Sequence, residues 1–430
     1  MALALCRRAA ACFLLWAASG ASALDARGAS ASSGAFAAFI QEYGRTYKSG
    51  TAEYDQRRVL FERRAAEVEA HNRDPLRSYT ATINDLADRS EEELAELRGY
   101  RPHRTLDSSA RRSGPLQLLS VAATGRSDSR LARLPSNFTW RGRLKAMDTI
   151  QNQGSCGSCW AVSTATALRA HSQLYVGDDR EFSSTQILRC TPNPMQCGGR
   201  GGCSGATAAL AMDYVMNHGC ATPEEYHSCP HEEGAQSLLS HGHGLGGLDR
   251  TGFGMFGYDK LPRNRLAPIM LALYQQGPVV VSLSAGFGWN HYSSGIMNAC
   301  DRDAVINHAV VLVGYGEQQG KKYWAVQNSW GKYWGEGGFI RLQRHDADTE
   351  EAYCGWDHSP EDGSGCRGGP SKVWVCGSCG ILYDVVVPRF ALKKEGLWSR
   401  FGEKVTDVSE TMMSQTQNRT HRFVSPHMEP

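Results

Sequence analysis

The run Gln153-Gly-Ser-Cys156-Gly-Ser-Cys159-Trp160-Ala-Val-Ser163 opens onto a segment whose apolar residues recur at helical spacing as far as Tyr175. A cysteine at a helix N-terminus meets the positive end of the helix dipole, which favours the thiolate over the thiol. A thiolate nucleophile also needs a base. Asn307-His308-Ala-Val-Val-Leu-Val-Gly314 supplies an imidazole at the head of a β-branched run that can hold the ring rigidly. Gln327-Asn328-Ser-Trp330-Gly331 then offers Asn328 as an acceptor that orients the imidazole, and Trp330 to screen that bond from water. Gln153 and the Cys159 amide are candidate donors to the oxyanion of a tetrahedral intermediate. Together these groups predict nucleophilic acyl transfer.

Each piece alone has a plainer reading. A single His on an apolar strand is commonly a satisfied core residue, and Asn-Ser-Trp-Gly serves equally as a turn. Cys156-Gly-Ser-Cys159 also has the spacing of a redox dithiol, the site of a thiol-disulfide oxidoreductase. That reading needs a βαβ setting, which the region lacks, and it leaves His308 and Asn328 without a role.

The elements that must position these residues follow in a clear order. The helical segment after Cys159 is succeeded by short strand-like runs at Val279–Leu283, Ala309–Val313 and Tyr323–Val326, punctuated by Gly. A helical half followed by a strand-rich half predicts an α+β fold. Upstream, residues 33–100 lack cysteine and place Val59, Leu60, Phe61, Ala65 and Val68 at helical spacing. Residues 101–133 turn to Arg, Ser, Ala and Pro with little periodicity, as expected of an exposed linker open to proteolysis. Beyond Arg389 the chain is a polar extension without a core pattern.

The 430 residues, 41% of them apolar, can support one large or two medium domains, and a formal net charge of +2 gives no case for nucleic acid as a partner. At the N-terminus, Arg7-Arg8, an apolar run through Trp16 and Ala21-Ser22-Ala23 fit a signal peptide over residues 1–23. The apolar run is shorter than the roughly 20 residues a membrane span needs, so no stable membrane insertion is expected. Cys6 and Cys12 fall in this leader, and all other cysteines lie between Cys156 and Cys379, which implies disulfides confined to one secreted domain. Asn137-Phe-Thr139 and Asn418-Arg-Thr420 are glycosylation acceptors.

The nucleophile run, the Asn-His308-Ala and Asn328-Ser-Trp-Gly-Lys-Tyr-Trp-Gly335 motifs, Leu134-Pro135-Ser-Asn-Phe138-Thr-Trp140, Gly202-Cys203-Ser-Gly205 and Gly277-Pro278-Val occur together in one order. In this the chain resembles the papain family of cysteine proteases. The resemblance implies a helical domain and a β-barrel-like domain with the active site in the cleft between them, over residues 134–388. The upstream segment resembles the inhibitory propeptide of cathepsin L-like precursors. Glu53, Arg57, Phe61, Val68 and Asn72 fall on its helical signature, Arg64 stands where the signature has Asn, and Asn84-Asp-Leu86-Ala-Asp88 follows. Residues 24–133 are thus expected to be propeptide and activation linker, lying backwards through the cleft until acid loosens them.

What the resemblance implies is a cysteine endopeptidase made as a zymogen, acting on proteins and peptides through an acyl-enzyme and needing no cofactor or metal. Its setting is the secretory pathway, lysosomal or vacuolar, or secretion. A non-catalytic papain-like binding protein is the other possibility, although Cys159, His308, Asn328 and Gln153 are all present. Exopeptidase activity is open if insertions between Cys229 and Gly257 or Cys354 and Cys376 narrow the cleft. Two departures stand out: Thr139 replaces the usual Asp before Trp140, and Ala206 replaces the Gly that follows Gly205 in the substrate-binding backbone.

The resemblance also implies pairs Cys156 with Cys203, Cys190 with Cys229, and Cys300 with Cys379. Cys197, Cys220, Cys354, Cys366 and Cys376 are left over, an odd number that requires a free thiol or an intermolecular bond. Cys354, Cys366, Cys376 and Cys379 could alternatively bind zinc, but disulfides suit the compartment better. His231, His241 and His243 sit in a Gly-rich polar stretch and are expected to be a solvated loop. For the pocket that takes the side chain two residues before the cut bond, the resemblance, aligned on Cys379-Gly380 and Pro388, implies Asp384 as the floor. An alignment on Cys354-Gly355 would give Ser359 that role.

Overall fold

A computed structural model describes residues 34–99, 129–229 and 253–391. The expected signal peptide, most of the linker, the stretch with His231, His241 and His243, and the tail with Asn418 lie outside the described residues.

The upstream segment contains helix α1 (34–42), helix α2 (Ala52–Arg73), strand β1 (Tyr79–Ala81) and helix α3 (Glu91–Leu97). Thr51 caps α2 through the Tyr54 amide, and Ser90 with Glu93 forms a capping box on α3. The buried face of α2 is narrower than its apolar spacing predicts, for Phe61 and Arg64 are buried while Val59 is 60% exposed. Phe61 packs on Phe36 and Phe39, with ring centroids 5.3 and 4.9 Å apart. Arg64 is held by Glu67 at 2.8 Å and by Glu91, the pairing that a buried guanidinium requires. Asn72 closes the α2–β1 turn by exchanging two 2.9 Å hydrogen bonds with Ala81.

The helical half follows, with β2 (Phe138–Thr139), α4 (Lys145–Asp148), α5 (Cys159–His171), α6 (Ser184–Cys190) and α7 (Ala208–His218). Helix α5 is buried on most sides and packs against Ile187 of α6 and Met212 and Val215 of α7. It ends earlier than its periodicity suggests, widening into a π turn over Ser172–Val176.

The strand-rich half comprises β3 (Met255–Lys260), α8 (Leu266–Gln275), β4 (Val279–Leu283), α9 (Phe287–Asn290), β5 (Tyr292–Met297), β6 (His308–Gln318), β7 (Lys321–Gln327), β8 (Phe339–Gln343), α10 (Ala347–Ala352), β9 (Cys354–Asp357), β10 (Val373–Cys376) and β11 (Asp384–Phe390). The large sheet runs β1-β5-β8-β7-β6-β4-β11-β3, with β2 also on β6, while β9 and β10 pair separately. All five residues of β4 are buried, as suits a strand covered on both faces. Strand β11 continues past the expected boundary at Pro388 to Phe390, which pairs with Met255 and is 5% exposed.

Disulfides join Cys156 to Cys203, Cys190 to Cys229 and Cys300 to Cys379. Two further bridges, Cys197–Cys366 and Cys354–Cys376, take up four of the five leftover cysteines, so the cysteines considered for zinc are all spent on disulfides. Among the described residues, Cys159 and Cys220 remain as thiols, both buried. No described helix is long and apolar enough to cross a membrane.

Candidate active site

Cys159 is the first residue of α5, and Ser158 offers that helix no side-chain cap. The first-turn amides are therefore not consumed by capping, which is the arrangement that favours negative charge on the sulfur. The buried Sγ accepts from the Ala309 amide at 3.4 Å. Ala309 follows His308, the first residue of β6, which is fixed between β4 and β7. The His308 ring lies 2.8 Å through Nε2 from Asn328 Oδ1, and that same oxygen accepts from the Ser329 amide at 2.9 Å. An oxygen can only accept, so Nε2 carries the proton and Nδ1 is left as the base. Nδ1 has no hydrogen-bond partner among the described residues. Trp330 lies 5.1 Å from the imidazole between ring centroids, and Trp289 meets its edge at 6.1 Å. These indoles exclude water from the His308–Asn328 bond.

Gln153 is anchored from behind, its Oε1 accepting from Ser329 Oγ. Its Nε2 donates to the Cys156 carbonyl and to the Leu97 carbonyl, each at 2.8 Å. The amide nitrogen expected to meet an oxyanion is thus engaged by a backbone carbonyl of the upstream segment. Two residues on, Gly99 lies directly against the candidate nucleophile: a Cβ there would stand 2.2 Å from Cys159 Sγ. Gly205 likewise has no room for a side chain, since its Cβ would fall 1.9 Å from the Gly99 carbonyl oxygen. Between them, Arg98 donates to the Ala285 carbonyl at 3.3 Å.

The rest of the upstream segment is clasped to the strand-rich half. Strand β1 pairs antiparallel with β5, Asn84 donates to the Asn290 carbonyl at 2.8 Å, and the Thr82 amide donates to the His291 carbonyl at 2.8 Å. Its own frame is ionic, with Arg57 on Glu93 and Arg45 on Asp88. Sequence reasoning did not find Leu97, Arg98, Gly99 or Trp289. Leu97 and Gly99 act through backbone, Arg98 acts through a guanidinium that nothing in its sequence setting separates from the many other arginines, and nothing flanking Trp289 distinguishes it from a core indole.

The covering segment changes the electrostatics of the pair. Burial pushes the Cys159 thiol up to about 11, against smaller opposing contributions from the Ala309 and Gly99 amides. Burial also pulls His308 down to about 4, and the Arg98 guanidinium adds to that shift against the Asn328 bond. Near neutral pH both groups are therefore held neutral beneath Leu97–Gly99, as thiol and imidazole.

Asp384, Ser282 and Ala309 stand in one row across β11, β4 and β6. Residues directly opposite in antiparallel strands share a face, so Asp384 and Ala309 lie on one face of the sheet, two strand spacings or about 10 Å apart along the backbone. Ser282 Oγ donates to Asp384 Oδ2 at 2.7 Å. Ser359 lies instead in the excursion between β9 and β10, with its amide on Asp357 Oδ1 at 2.9 Å. Ala206 is fully buried just ahead of α7. Asn137 is exposed and its Oδ1 accepts from the Glu317 amide.

The family model described as papain family cysteine protease matches residues 134–361, and that described as cathepsin propeptide inhibitor domain matches residues 36–94. The chain is similar to a KDEL-tailed cysteine endopeptidase of Arabidopsis thaliana, 32% identical over 286 residues, covering 65% of this chain and 72% of the relative. It is similar to ananain of Ananas comosus at 29% over 324 residues, 74% of this chain and 84% of that one. Among solved structures it resembles a stem bromelain precursor, with TM-score 0.59, 26% identity and coverage of 84% and 99%. A digestive procathepsin L2 of Tenebrio molitor gives TM-score 0.59, 25% identity and coverage of 84% and 100%.

Proposed function

The chain belongs to the papain family of cysteine proteases and is a cysteine endopeptidase made as a zymogen, and we propose that Cys159, His308, Asn328 and Gln153 carry its hydrolysis once Leu97–Gly99 has left the cleft. The Cys159 proton passes to His308 Nδ1, and the thiolate attacks the peptide carbonyl carbon. The developing oxyanion is received by Gln153 Nε2 and the Cys159 amide. The imidazolium then protonates the departing amine, leaving an acyl-enzyme, and the neutral ring next takes a proton from the water that hydrolyses the thioester.

The observation that carries this reading is the 2.8 Å contact of His308 Nε2 with an Asn328 Oδ1 that already accepts from Ser329, which requires Nε2–H and leaves Nδ1 as the base. The redox reading loses its second thiol, because Cys156 is bonded to Cys203. The direct test is titration of the acid-activated enzyme with a thiol-directed irreversible inhibitor. One equivalent should abolish hydrolysis and label Cys159; two equivalents, or activity surviving the label, would overturn the assignment.

On the same reading, residues 24–133 are propeptide and linker, removed by cleavage between Arg101 and Leu134 in an acid compartment of the secretory route or after secretion. Proteins and peptides are the substrates. Asp384 forms the floor of the pocket for the residue two before the cut bond and pairs there with Arg or Lys, a proposal supported by its row with Ser282 and Ala309.

A further inference from the structure

An excursion of the strand-rich half reaches across to the helical half. Strands β9 and β10 form its stem, closed by the Cys354–Cys376 disulfide. On the His308 wall it is bound to Ile306, two residues before the imidazole. The Ile306 amide donates to Asp357 Oδ2 at 3.1 Å, and the Ser364 amide donates to the Ile306 carbonyl at 2.8 Å. Its tip is bound to the Cys159 wall. Cys366 is disulfide-linked to Cys197, the Gly198 amide donates to the Gly365 carbonyl at 2.9 Å, and the Arg367 amide donates to the Met195 carbonyl at 3.0 Å.

Gly198 is also a neighbour of the substrate-binding backbone, for a Cβ on Gly205 would lie 2.1 Å from the Gly198 carbonyl oxygen. The excursion is therefore a strap, covalently closed at both ends, that joins the two walls beside Gly205 and, through the cluster of Ile306, Val375 and Tyr383, next to the residue that precedes Asp384. The opposite end of the cleft, where β1 meets β5, carries no such bridge among the described residues.

Resting on the reading of the site given above, we propose that this strap caps the cleft beyond the second substrate residue on the N-terminal side, giving the endopeptidase a dipeptide-releasing action on free N-termini. A chain ending at the second residue fits between Gly205, Asp384 and the strap. A longer one must turn out of the cleft ahead of that point and forfeits contacts. The chemistry is unchanged; what changes is which bond of a chain is presented to Cys159.

The test uses the acid-activated enzyme and peptides that share the two residues before the cut bond and the leaving group, extended N-terminally by none, one, two or three residues. The kcat/KM is expected to fall about tenfold or more with the first added residue. The double variant Cys197→Ser with Cys366→Ser should flatten that dependence, bringing the ratio of kcat/KM for the unextended peptide to that of the extended ones toward one. A flat profile in the unmodified enzyme, or an equally steep one in the double variant, would overturn the proposal. Should that variant not fold, the decision falls to mass spectrometry of a decapeptide treated with the unmodified enzyme. Stepwise loss of dipeptides supports the strap, and purely internal cuts overturn it. Failure to cleave a peptide of any length would instead overturn the Cys159–His308 reading and the proposal with it.

Discussion

Acid should open this zymogen partly through His291, a residue of the protease half buried beneath the propeptide. The residue is 3% exposed, and burial first, then Arg64, holds its ring down to about 4, against Glu91 and the Thr82 backbone. Departure of the propeptide should return the ring toward the ordinary value near 6.5, because Arg64, which lowers it, and the covering backbone at Thr82 leave with it. The released state then binds more protons between these values, so the clasp is at full strength above about 6.5 and weakens as pH falls toward 4. Taking the pH from 7.5 to 5 costs the complex about 2 kcal/mol through this ring alone, about a thirtyfold loss of affinity. Two carboxyls act differently. Asp85, raised by burial, favours the bound state on acidification, whereas Glu93, lowered by Arg57, withdraws support only below the ordinary carboxylate range. The assay is inhibition of the mature enzyme by separately made propeptide at both pH values. His291→Gln should keep the neutral-pH inhibition constant and remove about thirtyfold of its acid weakening. An unchanged pH slope in that variant would refute the reasoning.

Gly99→Val places a side chain where Sγ already is, so its precursor should react with a thiol-directed inhibitor at neutral pH while the parent precursor stays inert. Cys159→Ala or His308→Ala should abolish hydrolysis with melting temperature retained, and Asn328→Ala should leave partial turnover. Gln153→Ala should lower kcat by about 10²–10³ with little change in KM, measured by steady-state kinetics on the activated enzyme. Asp384→Ala should cut kcat/KM for substrates with Arg two residues before the cut bond far more than for those with Leu, and equal losses would shift attention to Ser359.

The parts of the site that announce themselves in sequence are those whose chemistry needs a particular side chain in a fixed local setting. Cys159 at a helix start and His308 at a strand head are of this kind, and the succession of helices and strands around them reads from the same periodicities. The contacts that hold the enzyme latent are made by Leu97 and Gly99 through backbone, and their partners come from distant parts of the chain. The Cys197–Cys366 bridge spans 169 residues and could not be chosen over other pairings without knowing which loops meet. Arg64 on the buried side of α2 runs against its apolar pattern, because its carboxylate partner Glu91 belongs to another helix.

The pairing of β1 with β5 has a consequence for the enzyme after activation. β1 contributes the outermost strand of the large sheet, with Tyr79 opposite Gly295 and Thr80 opposite Ser294. When it departs, β5 becomes a bare border whose amides and carbonyls are templates for any extended chain. While β1 is in place, this border is not free to pair with a second chain. A matured enzyme concentrated without substrate should be the form that aggregates, and an added extended peptide that docks along β5 should suppress it.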